Sequence, residues 1–383
     1  MPIRQRGKDT YQIYIDIGTD PVTGERKRYY ETVKGKKNAE RRERELRREL
    51  DLGTFVVPSD VTLRDFLEDW LKEKMKQVKP STLSSYQQVL NLYVVPYLGQ
   101  MKMKDLKPQH FVRLYEHLQG KDMNISNRTI KYVHTVIKSA LDKAVQWELI
   151  PKNIVENVDP PRQTRNKFNV WDEQEIKRFL EAAKDSWYFE VYYLALTTGM
   201  RQSELLGLRW RNVDLEKKRI YVVEQYNLKT QAFEEVKTES SRRNISIDND
   251  TVEVLRKHKK KQAAMRLKAE FWQDHDLVFC TRNGLPIHHR NLVRNFKEYI
   301  KRAGVPEIRF HDLRHTHATL CLTNGWHPKV VQERLGHSSI QVTLDTYSHV
   351  IPSLQDELAS ATFEGLLNRT SATILPPSPK NFR

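Results

Sequence analysis

Apolar residues recur at helical spacing through residues 60 to 158, and this pattern restricts the fold more than any other feature of the chain. After Thr62, a suitable N-cap, five apolar residues fall on one helix face at i, i+3, i+4, i+7 and i+8: Leu63, Phe66, Leu67, Trp70 and Leu71. Similar stripes follow, so we predict an all-helical bundle. Consecutive prolines and basic residues then indicate a linker at residues 159–168.

The residues before the bundle follow a strand pattern. Apolar side chains alternate with mostly polar ones at Tyr11, Ile13, Ile15 and Ile17, and a turn sequence containing two glycines comes next. A second strand then leads into a highly charged helix. We therefore predict a separate amino-terminal domain at residues 1–57, built from a small β-sheet and a helix.

The residues after the linker return to helical periodicity. Asp172 and Glu175 are spaced as a capping box at the first helix. Alternation within residues 219–247 predicts a short antiparallel sheet with hairpin turns. We expect this third domain to span residues 169–370, followed by a disordered tail at 371–383. The predicted fold class is mainly α and multidomain.

The charge balance indicates the kind of partner. Lys and Arg number 65 against 49 Asp and Glu, which gives a net charge of +16. Such an excess favours a polyanion, and nucleic acid is a better candidate than an anionic membrane surface. No run of 18 apolar residues and no signal-peptide core occur, so we expect a cytoplasmic, nucleoid-associated protein. The two cysteines are too few for a disulfide framework or a four-thiolate zinc site.

Six residues of the third domain form a set suited to phosphate chemistry: Arg201, Lys237, His311, Arg314, His337 and Tyr347. Each is weak evidence alone, because Arg201 could simply pair with Glu204, a surface lysine is normally just solvated, and a lone tyrosine is normally a half-buried packing residue. A metal site is the rival interpretation of His311 and His315, which are four residues apart as zinc ligands on a helix can be. No carboxylate set stands nearby in the sequence to complete such a site.

Together the six residues could transfer a phosphoryl group without a metal, ATP or any other cofactor. The guanidinium groups of Arg201 and Arg314 would clamp the nonbridging oxygens of a phosphodiester, where negative charge spreads in the transition state. Tyr347 would be the nucleophile. The cut strand would then be stored as a 3′-phosphotyrosine ester, which another 5′-hydroxyl can reverse.

The remaining three residues would handle protons and charge. A phenol ionises only near pH 10, so it needs a base or a cationic surround, and His311 is the predicted proton acceptor. The 5′-oxygen is a poor leaving group and needs an acid. Lys237, which we predict at the tip of a hairpin, could supply that proton. His337 would hydrogen-bond a phosphate oxygen.

Five motifs resemble those of the tyrosine recombinase, or phage integrase, family: GMRQSE, the lysine hairpin, HDLRHTHA, RLGHSS and LDTYSHV. The resemblance covers the whole third domain, and the order and spacing of the motifs make it specific. It implies that Tyr347 is the nucleophile and that the other five residues activate it or the phosphate.

The first two domains resemble those of integrases from Gram-positive temperate phages and conjugative transposons. The resemblance implies an arm-type DNA-binding domain at 1–57, whose three-stranded sheet enters a major groove, and a helical core-binding (SAM-like) domain at 60–158. It implies double-stranded DNA with core and arm sites as the partner, and a homotetramer on paired sites. It also implies a carboxy-terminal helix at 354–367, packed on a neighbour or on its own domain. An excisionase and a host DNA-bending protein are further candidate partners.

Four alternatives remain open from the sequence. Chromosome-dimer resolvases of the Xer type are expected to resemble only the later domains. A type IB topoisomerase would use similar chemistry but reseal the same strand. An accessory DNA-binding protein would use the basic domains alone, and a metal-dependent nuclease would need the metal site that His311 and His315 suggest.

Overall fold

The computed structural model describes residues 3–19, 24–53, 55–57, 60–163, 169–228, 230–236 and 241–347. The chain divides into two compact units, Met1–Arg165 and Asn166–Arg383. The predicted fold class is confirmed, because the protein is mainly α-helical and multidomain with small antiparallel sheets. None of the described helices is long and apolar enough to cross a membrane.

The amino-terminal residues form a three-stranded antiparallel sheet with one helix packed on it. Strands β1, β2 and β3 lie side by side in chain order and helix α1 follows: Ile3–Gly7, Thr10–Thr19, Arg26–Lys34 and Lys36–Asp51. The alternation in β2 buries Ile13 and Ile15 in a cluster with Ala39 and Leu46 of α1. One face of the sheet is therefore covered and the other is left to solvent.

The next residues of the first unit form the predicted helical bundle. Its helices α2 to α6 and two short 3₁₀ segments are Leu63–Lys74, Pro80–Tyr93, Val95–Leu98, Pro108–Gln119 and Asn127–Gln146, with Met103–Asp105 and Ile154–Asn157. Thr62 is the predicted N-cap, and its side chain accepts a hydrogen bond from the Asp65 N–H at 3.2 Å. Trp70, Phe111 and Ile137 are buried in one hydrophobic core.

The second unit is mostly helical. Helices α7 to α14 are Glu173–Ala183, Phe189–Thr198, Gln202–Leu206, Asn249–Lys268, His289–Ala303, Asp312–Thr323, Pro328–Leu335 and Ile340–Tyr347. The predicted capping box begins α7, because Asp172 accepts from the Glu175 N–H at 2.8 Å and Glu175 accepts from the Asp172 N–H at 2.9 Å. The ring of Trp171 packs against Phe179 and Phe296 in the core.

Short strands occur where alternation predicted them. A 3₁₀ segment and strands β4 to β8 are Trp210–Asn212, Val213–Asp214, Arg219–Val222, Glu224–Asn227, Ala232–Glu235 and Arg243–Ser246. Strands β4, β5 and β8 form one sheet, and β6 pairs with β7. We predicted Lys237 at the tip of a hairpin. The turn between β6 and β7 instead ends before residue 237. Lys237 itself lies outside the described residues.

Three other predictions fall partly or wholly outside the described residues. They are the linker, of which 164–168 are not described, the carboxy-terminal helix at 354–367, and the tail at 371–383. The domain boundaries drawn from the sequence therefore stay predictions.

Candidate active site

Arg201 is the N-cap residue of α9 and follows the turn that ends α8. Gly199 makes that turn with a φ of 65°, a left-handed conformation that favours glycine. The backbone N–H and the Nη1 of Arg201 each donate to the buried carboxylate of Glu204 at 2.8 Å. The pairing considered from the sequence is therefore present. The guanidinium nevertheless reaches further, because its Nη2 donates to the carbonyl of Gly336 at 3.1 Å.

A second arginine holds the same carboxylate. Arg243 of β8 donates from Nη2 and Nη1 to the two oxygens of Glu204, at 2.8 and 3.1 Å, and from Nε to the Arg334 carbonyl at 2.7 Å. Burial raises the pKa of Glu204, but the hydrogen bond and charge of Arg243 and the charge of Arg201 outweigh it and lower the pKa to about 2. Glu204 is therefore a buried anion that connects β8 to α9.

Arg314 is buried in α12 and binds the ends of two other helices. Its Nη1 donates to the Gly199 carbonyl and its Nη2 to the Leu335 carbonyl, both at 2.8 Å. Those carbonyls end α8 and α13, where unpaired acceptors and the negative end of the helix dipole favour a cation. Because Gly336 follows Leu335, the guanidinium groups of Arg201 and Arg314 bind neighbouring carbonyls.

Tyr347 is fully buried at the end of α14. Its ring belongs to a small apolar cluster with Ala318, Leu322 and other residues of α12 and α13. Its hydroxyl lies 2.8 Å from Nδ1 of His315. Burial raises the pKa of the phenol, and the Arg314 guanidinium opposes this only in part. The phenol is therefore protonated at neutral pH, and a nucleophilic role would require a base.

Three histidines belong to the same site. The rings of His311 and His315 meet edge to face, with centroids 5.3 Å apart, and His311 is exposed. Partial burial and the charges of Arg314 and Arg201 lower the pKa of His337 to about 3, and the same causes lower the pKa of His311. Burial and neighbouring His311 lower the pKa of His315 to about 4. All three imidazoles are therefore neutral at pH 7.

The structure brings together the five predicted residues that it describes: Arg201, His311, Arg314, His337 and Tyr347. Two residues of the site were missed. Nothing local separates Arg243 from its neighbour Arg242 in the sequence. His315 was considered only as a metal ligand, and its position four residues after His311 was the available signal.

The rival metal interpretation has no support in the part of the chain that is described. No group of three or more His, Cys, Asp or Glu side chains there could hold a metal ion. One ring nitrogen of His315, Nδ1, faces the Tyr347 hydroxyl instead of a carboxylate or another metal ligand.

The chain is similar to several known proteins. Residues 169–353 match the Phage integrase family, and residues 62–119 match its N-terminal SAM-like domain. A "Tyrosine recombinase XerC-like" of Caldanaerobacter subterraneus subsp. tengcongensis is 34% identical over 91% of this chain and 94% of its own. The chain belongs to the phage integrase family of tyrosine recombinases. The XerC-like relative aligns with most of this recombinase, whereas the "Tyrosine recombinase XerC" of Yersinia pestis aligns with 72% of it.

Other similar proteins include integrases. The ICEBs1 integrase of Bacillus subtilis is 26% identical to this recombinase over 94% of the recombinase and 98% of the relative. The Tn1549 transposon integrase, solved with circular intermediate DNA, has a TM-score of 0.67 at 21% identity, covering 79% of the recombinase and 100% of that chain. A lambda integrase tetramer bound to a Holliday junction has a TM-score of 0.58 at 18% identity, covering 90% and 94%. The two structures share the fold.

Proposed function

We propose that this recombinase integrates and excises a mobile element by cutting DNA with Tyr347 and holding the cut strand as a 3′-phosphotyrosine ester. One observation carries the proposal: two guanidinium groups meet on the carbonyls of Leu335 and Gly336, directly before His337 and in the same site as Tyr347. Two adjacent cations suit the spread negative charge of a phosphodiester during displacement.

In the proposed reaction the Tyr347 oxygen attacks the phosphorus and the bond to the 5′-oxygen breaks. Arg201 and Arg314 bind the nonbridging oxygens with N–H groups that remain after the helix carbonyls are bound. His337 hydrogen-bonds one of these oxygens, and Lys237 donates a proton to the departing 5′-oxygen. The ester conserves the energy of the broken bond, so a 5′-hydroxyl of another strand can reverse the reaction with no step that consumes ATP.

The phenol proton of Tyr347 needs an acceptor, and the sequence favoured His311. Its ring is exposed and stands edge-on to His315, so it can meet DNA that approaches the site. We therefore keep His311 in the catalytic set, on the side of the site that faces the DNA.

The free face of the amino-terminal sheet supports an arm-type DNA-binding role for residues 1–57. The face opposite α1 pairs Arg4 with Gln12 and Tyr14 with Tyr30 across neighbouring strands. A sheet face with arginine, glutamine and tyrosine side chains can enter a major groove and contact base edges and phosphates. We propose that the helical bundle at 60–158 and the catalytic domain at 169–370 bind the core site.

We further propose that four copies assemble on paired attachment sites in the bacterial cytoplasm, at the nucleoid. The lambda integrase, which shares the fold, was solved as a tetramer bound to a Holliday junction. The ICEBs1 and Tn1549 relatives are named as integrases, which favours a mobile element over a chromosome resolvase. An excisionase and a host DNA-bending protein are candidate partners for setting direction.

A covalent-trapping assay tests the proposal. The substrate is an attachment-site duplex, taken from the sequenced junction of the mobile element, with a nick beside the scissile phosphate so that the released fragment diffuses away. In EDTA the wild-type protein should form a denaturant-resistant protein–DNA adduct, and Tyr347→Phe should form none. Loss of cleavage in EDTA would indicate a metal-dependent nuclease. On supercoiled plasmid carrying the site, relaxation without transfer to a second duplex would indicate a topoisomerase.

A further inference from the structure

His315 is the histidine that lies against the nucleophile. Its Nδ1 is 2.8 Å from the Tyr347 hydroxyl, and the two ring centroids are 5.7 Å apart. His315 follows Arg314 directly in α12, so one turn of one helix supplies both a phosphate ligand and an imidazole. A hydroxyl in hydrogen-bonding contact with an imidazole nitrogen is the arrangement of a nucleophile with its base.

We propose that His315 takes the phenol proton of Tyr347 during strand cleavage and returns it during rejoining. This inference rests on the proposed role of Tyr347 as the nucleophile. It gives His315 the task that the sequence favoured for His311. The exposed ring of His311 is then available to the phosphate.

The proton and bond changes balance in both directions. In cleavage the Tyr347 oxygen forms a bond to phosphorus while its proton passes to Nδ1 of His315, and the phosphorus–5′-oxygen bond breaks as that oxygen gains a proton from the general acid. In rejoining the 5′-hydroxyl attacks and loses its proton to that same group. The tyrosine oxygen then leaves and recovers its proton from His315.

The surroundings of His315 fit an acceptor whose strength increases when DNA is bound. Burial and neighbouring His311 lower its pKa to about 4, so the ring is neutral at pH 7 and one nitrogen carries no proton. A bound phosphate adds negative charge beside the guanidinium groups, which favours the imidazolium form. Among the described residues, the titratable or charged groups that act on His315 include His311, Asp312, Arg314, Arg309, His337 and Tyr347.

The packing explains why Tyr347 meets His315. Tyr347 packs with Ala318 and Leu322, which lie three and seven residues after His315 in α12, so His315 shares the helix face that α14 covers. His311 is at the N-cap, at the exposed end of the same helix. The helix therefore directs His315 to the nucleophile and leaves His311 nearer to solvent.

The first experiment compares His315→Ala and His315→Gln with the wild type in full-length protein on the nicked substrate. Glutamine can still hydrogen-bond the phenol but cannot take its proton. We expect both variants to lose about 100-fold or more in the rate of adduct formation. Noncovalent DNA binding and the melting temperature serve as folding controls. A His315→Gln variant that cleaves at the wild-type rate would contradict the inference.

The second experiment replaces Tyr347 with a fluorinated tyrosine, whose more acidic phenol ionises without help. If His315 is the base, the cleavage defect of His315→Ala should shrink by about tenfold or more with this nucleophile, while that of His311→Ala should persist. An unchanged defect in His315→Ala, or relief of His311→Ala alone, would overturn the inference. These outcomes differ from failure of the proposed function, in which Tyr347→Phe would still form the adduct.

Discussion

His317 is a buried residue of α12 whose hydrogen bonds fix its protonation state. Its Nδ1–H donates to the Leu196 carbonyl at 2.8 Å, and its Nε2 accepts from the Nε of Arg334 at 3.0 Å. An imidazole that donates at one nitrogen and accepts at the other must be neutral. Burial and the charge of Arg334 accordingly lower its pKa to about 3.

The pKa of His317 predicts a dependence of stability on pH. The unfolded imidazole binds a proton below about pH 6.5, and the folded one does not until about pH 3, so the free energy of unfolding should fall as pH declines between these values. At pH 5 the loss from His317 should be about 2 kcal/mol. Urea unfolding at pH 7 and pH 5 measures it. His317→Gln should show a smaller loss, and an equal loss would contradict the assignment.

The carboxylate of Glu204 predicts an energetic coupling with Arg243. Removing one partner of a buried ion pair leaves a desolvated charge, so Arg243→Ala should lower the free energy of unfolding by about 3 kcal/mol even though Arg201 still contacts Glu204. The double variant with Glu204→Gln should lose less than the sum of the single losses. Chemical unfolding of all four proteins measures the coupling, and strict additivity would contradict it.

The sequence revealed the reactive residue types but not their partners. Arg201, Arg314 and Tyr347 were singled out because their motifs are local. Arg243 is 39 residues from Glu204, and Tyr347 is 32 residues from His315, so each contact depends on how distant elements pack. No local sequence pattern indicates a contact between residues so far apart in the chain.

At the scale of secondary-structure elements, the carboxy-terminal end of α13 organises the site. Gly336 ends the helix with a φ of 68°, and its carbonyl and that of Leu335 accept from Arg201 and Arg314. A side chain at a left-handed position strains the backbone. A substitution of Gly336 should therefore shift the Leu335 and Gly336 carbonyls, which position Arg314 and Arg201.

Gly336→Ala should lower stability by about 1 kcal/mol and reduce adduct formation by a larger factor than DNA binding. Gly304→Ala is the matched control, because Gly304 ends α11 with a φ of 62° and an added Cβ would meet nothing within 4 Å. Both variants should melt at similarly reduced temperatures, but only Gly336→Ala should lose cleavage. Equal cleavage by the two variants would show that the helix end does not position the arginines.

Helix starts were predictable at this scale, whereas strand pairing was not. The N-caps at Thr62 and Asp172 bond to residues three positions later, so the sequence contains the whole interaction. Apolar residues alternate with others in β5 and around β8, but alternation does not reveal that β5 pairs with β8 while β6 pairs with β7. Because the pairing was not evident, we predicted a hairpin turn at Lys237.

At the scale of the whole molecule, the excess of 16 positive charges should strengthen binding to more than one DNA site. Arg4 lies on the free face of the amino-terminal sheet. Arg4→Ala should weaken binding of arm-site DNA and leave binding of core-site DNA unchanged, which fluorescence anisotropy at several salt concentrations measures. If Arg4 contacts a phosphate, the slope of the logarithm of the binding constant against the logarithm of salt concentration should also become shallower by about one unit.

Arg47→Ala is the control for that prediction. Arg47 is an exposed arginine of α1 that pairs with Glu43, and α1 packs on the face of the sheet opposite Arg4. Equal losses in the two variants would show that binding to the arm site depends on overall charge and not on the sheet face. The fold class at this scale was predictable from periodicity alone. Which sites each domain binds depends on side-chain geometry that periodicity does not record.

The identity of the nucleophile is the central claim, and peptide mapping of the trapped adduct tests it most directly. Trypsin should release residues 335–369, a peptide that contains Tyr347 as its single tyrosine. After nuclease digestion, tandem mass spectrometry should find the residual nucleotide on Tyr347 of that peptide. A nucleotide attached to any other residue, or an adduct that maps to another peptide, would contradict the account.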